Sequence, residues 1–288
     1  MTIPFVRDMD PAYGQVVEES ALVRRVTAEN PGPFTYLGTN TFIVGRAQVA
    51  VIDPGPDDTG HVQAVTRALA GETVLAILVT HTHLDHSPAS RELAARVGGV
   101  LRGYGPLDLD GHDRMFVPDG PLRDGDEVHG PGWTLRALHT PGHTSNHLCF
   151  ELPEERTLFT GDHLMAWSTS VVTPPDGDMA AYIASLERLR SGSWATFRPS
   201  HGPATNDPQV FVEAFLEHRR ERERQVLDAI AAGSAAVPDL VKRVYADVDE
   251  SLHAPAGQSL LALLRVLEAD GRVRRGPGAD LEAIFSLP

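Results

Sequence analysis

The sequence predicts an α/β protein, a sandwich of two sheets with helices on the outside and a small helical module at the C-terminus. Three observations carry this. Residues 40–97 alternate short apolar runs with helical patterns, as strands joined through helices do. From Arg123 to Thr160 the texture changes to short strands separated by turn residues, with a helix and a further strand behind them. From Pro208 onward, helical patterns and one hairpin replace the strand texture.

The elements follow in order. Asn40 to Val44 and Gln48 to Ile52 read as paired strands turned by Gly45-Arg46. Asp53-Pro54-Gly55-Pro56 ends the pair, and Asp57-Asp58 open a helix to about Leu69, with acids suited to its positive end. Val74 to Val79 is a continuous apolar run, as expected of a parallel strand buried on both faces. A helix from about Ser87 to Val97 follows it. Trp133 to His139, Leu148 to Leu152 and Thr157 to Thr160 read as strands, Met179 to Leu189 as a helix, and Thr196 to Pro199 as a strand. Pro208 starts a long helix to about Ala232, whose mixed charges between Glu217 and Arg224 suggest a solvated face. Val237 to Ala246 and Gln258 to Asp270 read as helices, and Gly271 to Phe285 as a two-stranded wing. The expected division is a catalytic unit over residues 1–207 and a C-terminal module over 208–288.

Composition sets outer limits. A chain of 288 residues with 42% hydrophobic content can bury a substantial core. No apolar stretch approaches the roughly 20 residues of a membrane span, and Met1 to Asp10 lacks a basic-then-apolar signal pattern. A single cysteine, Cys149, forbids an internal disulfide and suits a reducing cytoplasm. Its place in the apolar run Leu148 to Leu152 marks a buried strand thiol, not a nucleophile. The net charge of −14 argues against broad nucleic-acid binding, though a local basic groove would survive it.

The chemistry is concentrated in Thr80-His81-Thr82-His83-Leu84-Asp85-His86. The loop ends the buried strand, where open α/β sheets place their active sites. In an extended loop His81 and His83 point the same way and Thr82 turns aside, leaving Asp85 and His86 to face a second metal. Three later motifs also end strands: Thr140-Pro141-Gly142-His143-Thr144, then Thr160-Gly161-Asp162, then Ser200-His201-Gly202. Gly161 permits close backbone approach, with Asp162 at the tip. Each alone is an ordinary polar turn. Four such loops, each delivering His or Asp, point to a shared metal centre.

This order of motifs resembles the metallo-β-lactamase superfamily from about Asn40 to Gly202. The resemblance implies an αβ/βα four-layer sandwich with a dinuclear site between the sheets. It places one metal on His81, His83 and His143, the other on Asp85, His86 and His201, and Asp162 as the bridge. Asp53 matches a family acid that orients a ligand histidine; an Asx turn before Pro54 is the alternative. Imidazole and carboxylate donors suit two Zn²⁺, with iron or manganese as other occupants. A metal-bound water, its pKa lowered to about 7, would supply hydroxide. Asp85 would orient it while ligating. Two divalent ions less Asp85, Asp162 and hydroxide leave a formal charge of about +1, which favours an anionic transition state.

Within the superfamily, Asp162 stands where many β-lactamases carry Cys or no bridging carboxylate, which demotes antibiotic hydrolysis. The basic and aromatic glutathione set of glyoxalase II is not evident. Ala166 to Ser170 is expected near the pocket, its hydroxyls either meeting substrate or serving as plain loop residues. The helix-helix-hairpin tail resembles the winged-helix module of the lactamase-beta-like protein 2 family, associated with zinc-dependent cleavage of single-stranded RNA. From Asp207 onward, however, there are 14 acids and 10 bases, a net of −4, and Arg272, Arg274 and Arg275 form the concentrated basic patch. Packing on the sandwich or forming a homodimer surface are the other roles for the module. The sequence therefore predicts a dinuclear zinc hydrolase, on a phosphodiester such as single-stranded RNA first, with a small acyl substrate (thioester or lactone) as the alternative. A non-catalytic binding protein is disfavoured by seven intact ligand positions.

Overall fold

A computed structural model describes residues 2–233, 236–246 and 248–288. Its first sheet runs in chain order through β1 (Val17–Glu18), β2 (Val23–Thr27), β3 (Asn40–Arg46), β4 (Gln48–Ile52), β5 (Thr73–Leu78), β6 (Val100–Gly103) and β7 (Gly120–Pro121). Pairing is antiparallel to β4 and parallel beyond it. The parallel steps need crossovers: α1 (Thr59–Ala68) and α2 (Ala89–Val97) supply the first two, and the irregular segment 104–119 the third. The second sheet holds β8 (Glu127–Gly130), β9 (Trp133–His139), β10 (Leu148–Leu152), β11 (Thr157–Gly161) and β12 (Thr196–Pro199), with β12 parallel to β11. The helix α3 (Met179–Arg190) supplies that last crossover.

The strand period of two sorts side chains between layers. Phe42, Ile52 and Leu78 meet Leu135, Phe150 and Phe159 between the sheets, and Trp133 donates across the gap to the Gln48 carbonyl at 2.9 Å. Gly45, at φ 99°, is required there because a Cβ would lie 2.2 Å from the Trp133 indole nitrogen. The alternate residues Ile43, Val49, Val51 and Ile77 lie under α1 and α2, against Val65 and Leu93. On the other side, Leu158 and Phe197 lie under α3 and α4 (Pro208–Ala231). The same cluster continues into α5 (Val237–Val244), α6 (His253–Ala269) and the wing strands β13 (Arg274–Arg275) and β14 (Phe285–Ser286). Helix–sheet–sheet–helix is the layer order expected. No helix among the described residues is long and apolar enough to cross a membrane.

The differences have physical causes. β2 reads as polar because of Arg24 and Arg25, yet both are buried, held by Glu72 at 2.6 Å and Glu19 at 2.8 Å. Glu72 lies 48 residues from Arg24, and Glu19, six residues before Arg25, reaches it from the preceding turn. α2 starts at Ala89, not Ser87, with the Ser87 amide turned to the His83 carbonyl at 3.4 Å and the Ala89 amide to the Gly55 carbonyl at 3.2 Å. α6 starts at His253, not Gln258: Pro255 falls in its first turn, where no N–H is needed. The charged middle of α4 is not wholly solvated, since Arg219 is buried, donating to the Ser170 carbonyl at 2.7 Å and lying over the Tyr182 ring.

One buried base makes stability depend on pH. His61 in α1 bonds through Nε2 to the Thr41 hydroxyl at 2.8 Å, and burial, partly offset by Asp58, lowers its pKa to about 4. Between pH 6.5 and about 4 the unfolded chain binds the proton and the fold does not. The contribution of His61 to stability is therefore complete above 6.5 and is lost as pH drops, by about 3 kcal/mol at most. His61→Gln is expected to flatten this slope, checked as the difference in urea midpoints between pH 7 and 4.5. An unchanged slope would place the acid sensitivity elsewhere.

Candidate metal centre

Every predicted ligand lies at one end of the sandwich, just past the carboxyl ends of β5, β9, β11 and β12. His81 Nε2 is 2.9 Å from His83 Nδ1, which is 3.2 Å from His143 Nε2. His201 Nε2 lies 3.2 Å from Asp85 and 3.3 Å from Asp162, and His86 Nε2 lies 3.6 Å from both carboxylates. Asp162 also comes within 3.6 Å of His143, so it touches both groups.

The outward nitrogens are held so that the inward ones face the centre. Asp53 is fully buried and accepts from the Thr80 amide, the Thr80 hydroxyl, His86 Nδ1 and the Ser200 hydroxyl, at 2.6–2.9 Å. Of its two readings, the histidine-orienting one is therefore what the geometry displays. Since the Thr80 hydroxyl proton goes to Asp53, its oxygen accepts from His81 Nδ1–H at 3.1 Å, leaving Nε2 unprotonated. His143 Nδ1 donates to the Val171 carbonyl at 2.6 Å, and His201 Nδ1 faces the Gly38 carbonyl at 3.3 Å.

The charges fall into two groups. Burial first, then the neighbouring imidazoles, holds His81 and His83 well below the usual imidazole range. Burial would depress His86 and His201 as well, but Asp85 and Asp162 outweigh it, raising His201 to about 9. Burial likewise opposes ionisation of Asp162, and His201 and His86 override it. His81 and His83 are thus neutral bases, whereas His86 and His201 form a charge-balanced set with Asp85 and Asp162.

These residues fit a metal. His86 Nε2, His201 Nε2 and Asp162 Oδ1 are buried without a hydrogen-bond partner, although the last two are 3.3 Å apart. Buried polar atoms left this way are costly unless something binds them. The His81–His83–His143 spacing of 2.9–3.2 Å also approximates the edge of a tetrahedron, about 3.3 Å for Zn–N bonds of 2.0–2.1 Å.

Several supporting residues carried no signal. His147 accepts from the Asp162 amide at 3.2 Å, and Gly161 at φ 52° leaves room for its ring, because a Cβ would sit 2.5 Å from His147 Nε2. Asn146 and His112 also join the site, through the Thr82 hydroxyl at 2.8 and 3.0 Å. The position of Asn146 and His147 just after Thr144 was the available clue. Cys149 is buried facing Thr140, and burial raises its thiol to about 12, so it is no nucleophile.

The cluster opens into a cavity of about 710 Å³. Phe34, Leu84, Leu109, Met165, Trp167 and Val171 supply apolar wall, and Tyr36 stacks behind Trp167 at 4.9 Å. Ser168 and Thr169 line it as well, whereas Ser170 is buried with its hydroxyl on the His163 carbonyl. Among the described residues lining the cavity, none is Lys or Arg, and four are Asp.

The fold and the ligand cluster define a metal-dependent hydrolase scaffold. Residues 35–201 match the metallo-beta-lactamase superfamily, and the chain belongs to it. Residues 236–280 match the beta-lactamase associated winged helix domain. The beta-lactamase-like protein 2 homolog of Caenorhabditis elegans is 31% identical, over 88% of this chain and 86% of its own. An atrochrysone carboxyl ACP thioesterase of a Cryptosporiopsis species is 32% identical, over 91% and 84%. A beta-lactamase domain protein of Burkholderia ambifaria shares the fold, with a TM-score of 0.82 at 22% identity over 98% of this chain and 96% of that one. The protein is thus a hydrolase of this superfamily carrying candidate metal ligands and a winged-helix tail.

Proposed function

We propose that the protein is a dinuclear metal-dependent acyl hydrolase, acting on a thioester or related activated ester with a bulky apolar acyl group. The cavity carries this reading. Its wall is largely apolar, without Lys or Arg among the described residues, and Asp110 and Asp176 add negative charge. An RNA strand needs cationic contacts along its phosphates. The wing supplies few: Arg272 is bonded to Glu223, and Arg275 lies 3.9 Å from Asp280. This reverses the order of the two substrate classes expected from sequence. The name of the fungal thioesterase relative supports the same choice.

In this reading His81, His83 and His143 would hold one ion and Asp85, His86 and His201 the other, with Asp162 within reach of both and zinc the first candidate. Bound there, the metals supply an activated water and Lewis-acid polarisation of the acyl carbonyl. The chain's own residues do the rest. Asp53 and Thr80 fix the ring orientations, Asp85 at the cavity floor accepts a hydrogen bond from the incoming nucleophile, and the apolar walls exclude bulk water from the ester. The winged-helix residues pack on α3 and α4, and we assign them a shaping role, with residues 208–288 as the attached module.

The test compares metal-loaded protein on aromatic and aliphatic thioesters, a lactone, a β-lactam and a single-stranded RNA. Thioester turnover should exceed phosphodiester cleavage by at least ~100-fold in kcat/KM, about 3 kcal/mol in transition-state binding. RNA cleavage without thioester turnover would overturn the reading.

A further inference from the structure

The geometry points to His112 as the group that hydrogen-bonds the substrate's oxygen from the cavity wall beside the metal ligands. This rests on the hydrolase reading of the centre but on neither substrate class in particular.

His112 belongs to none of the four ligand motifs. It lies on the segment between β6 and β7, and that segment is fastened to the ligand loop by backbone and side chain. His112 forms a bridge with His83, the Asp113 amide donates to the Thr82 carbonyl at 2.6 Å, and Ser87 donates to Asp113. The rings of His112 and His83 lie 4.5 Å apart. His112 is 8% exposed and lines the cavity together with His83, Asp85, His143 and Asp162.

Its proton can be placed by accounting. The Asn146 amide donates both to the Gly105 carbonyl and to the Thr82 hydroxyl, each at 2.8 Å, while its oxygen accepts from Thr144. The Thr82 oxygen is therefore an acceptor for Asn146, and its own proton has His112 Nδ1, at 3.0 Å, as acceptor. The opposite tautomer would leave a buried hydroxyl proton unpaired, which is costly. His112 thus carries its hydrogen on Nε2. The carboxylate nearest to Nε2, on Asp176, is 3.8 Å away, too far for a hydrogen bond, and accepts from the Ser145 amide instead. A fixed, neutral donor at the cavity wall, with no hydrogen-bond partner on Nε2 among the described residues, is what a substrate oxygen gaining negative charge requires. Thr82 and Asn146 act as positioning residues behind it.

Two measurements test this. In zinc-loaded protein carrying ¹⁵N-labelled histidine, the His112 ring should show the Nε2–H tautomer; an Nδ1–H tautomer overturns the proposal. On an aromatic thioester, His112→Ala should lower kcat ~100-fold with KM within about threefold and the metal content unchanged. His112→Gln, whose amide nitrogen reaches the Nε2 position, should recover at least ~10-fold of that. Turnover by His112→Ala within threefold of wild type, or no recovery by Gln, overturns it. If wild type hydrolyses no thioester, the substrate reading fails, and calorimetric titration with benzoate decides His112 separately. His112→Ala should then bind the carboxylate ~10-fold more weakly and His112→Gln near normally; equal binding by all three overturns the assignment.

Discussion

Asp162→Ala is expected to abolish hydrolysis, with kcat/KM falling by ~10³-fold or more, while the fold persists. The residue is 7% exposed, and its two oxygens lie 3.3–3.6 Å from His201, His86 and His143. Among the described residues it is the carboxylate that comes within 3.6 Å of both ligand groups. Removing it leaves His86 and His201 with Asp85 as their remaining nearby carboxylate within the centre, and the metal-holding set loses its shared member. Elemental analysis should show bound metal dropping from about two ions per chain, and circular dichroism should be unchanged. Wild-type metal content together with turnover within tenfold would remove Asp162 from the centre.

Asp53→Ala should produce the largest loss of stability, about 3–5 kcal/mol, out of the roughly 5–15 kcal/mol typical of a folded domain. The carboxylate is fully buried and accepts four hydrogen bonds, from three residues on two loops. Truncation strands all four donors, and His86 loses the acceptor that sets its ring. Asp53→Asn separates the two effects. Asn tolerates the positive φ of 49° at this position, but its amide group would confront a donor. Its stability should suffer less, while metal affinity drops about 10–100-fold. Urea unfolding and chelator competition measure the two quantities. A stability change under 1 kcal/mol for Asp53→Ala would show that water replaces the carboxylate at no cost.

Much of the architecture was legible because its signals are local. β5 and β10 are short, largely apolar runs, β9 alternates, and α3 has helical spacing bounded by Asp178, which caps its first turn. β2 was not legible: its two arginines look solvent-facing until Glu72 and Glu19 are brought beside them by the fold. Arg219 was misplaced on a solvated face for the same reason, since its partners Ser170 and Tyr182 lie 49 and 37 residues away in the chain. His112 was invisible, because nothing about a histidine in Gly111-His112-Asp113 indicates that Thr82 will fix its tautomer.

The sequence by itself determined the chemistry of the centre. Four strand-end loops deliver histidines and aspartates, and strand ends in such sheets converge, so the candidate donors were legible in short-range pattern, while their division into two sets came from the family resemblance. Tertiary structure alone decided what the centre faces. The walls come from segments around Phe34, Leu109, Trp167 and Val171, which carry no periodicity and meet only when the two sheets pack. Net charge is a sum over the chain and says nothing of position. That the cavity lacks Lys and Arg, and that Arg272 is already bonded to Glu223, are facts of long-range packing. Local pattern fixes which atoms can bind a metal; the shape and polarity that choose a substrate are set by contacts between residues far apart in the chain.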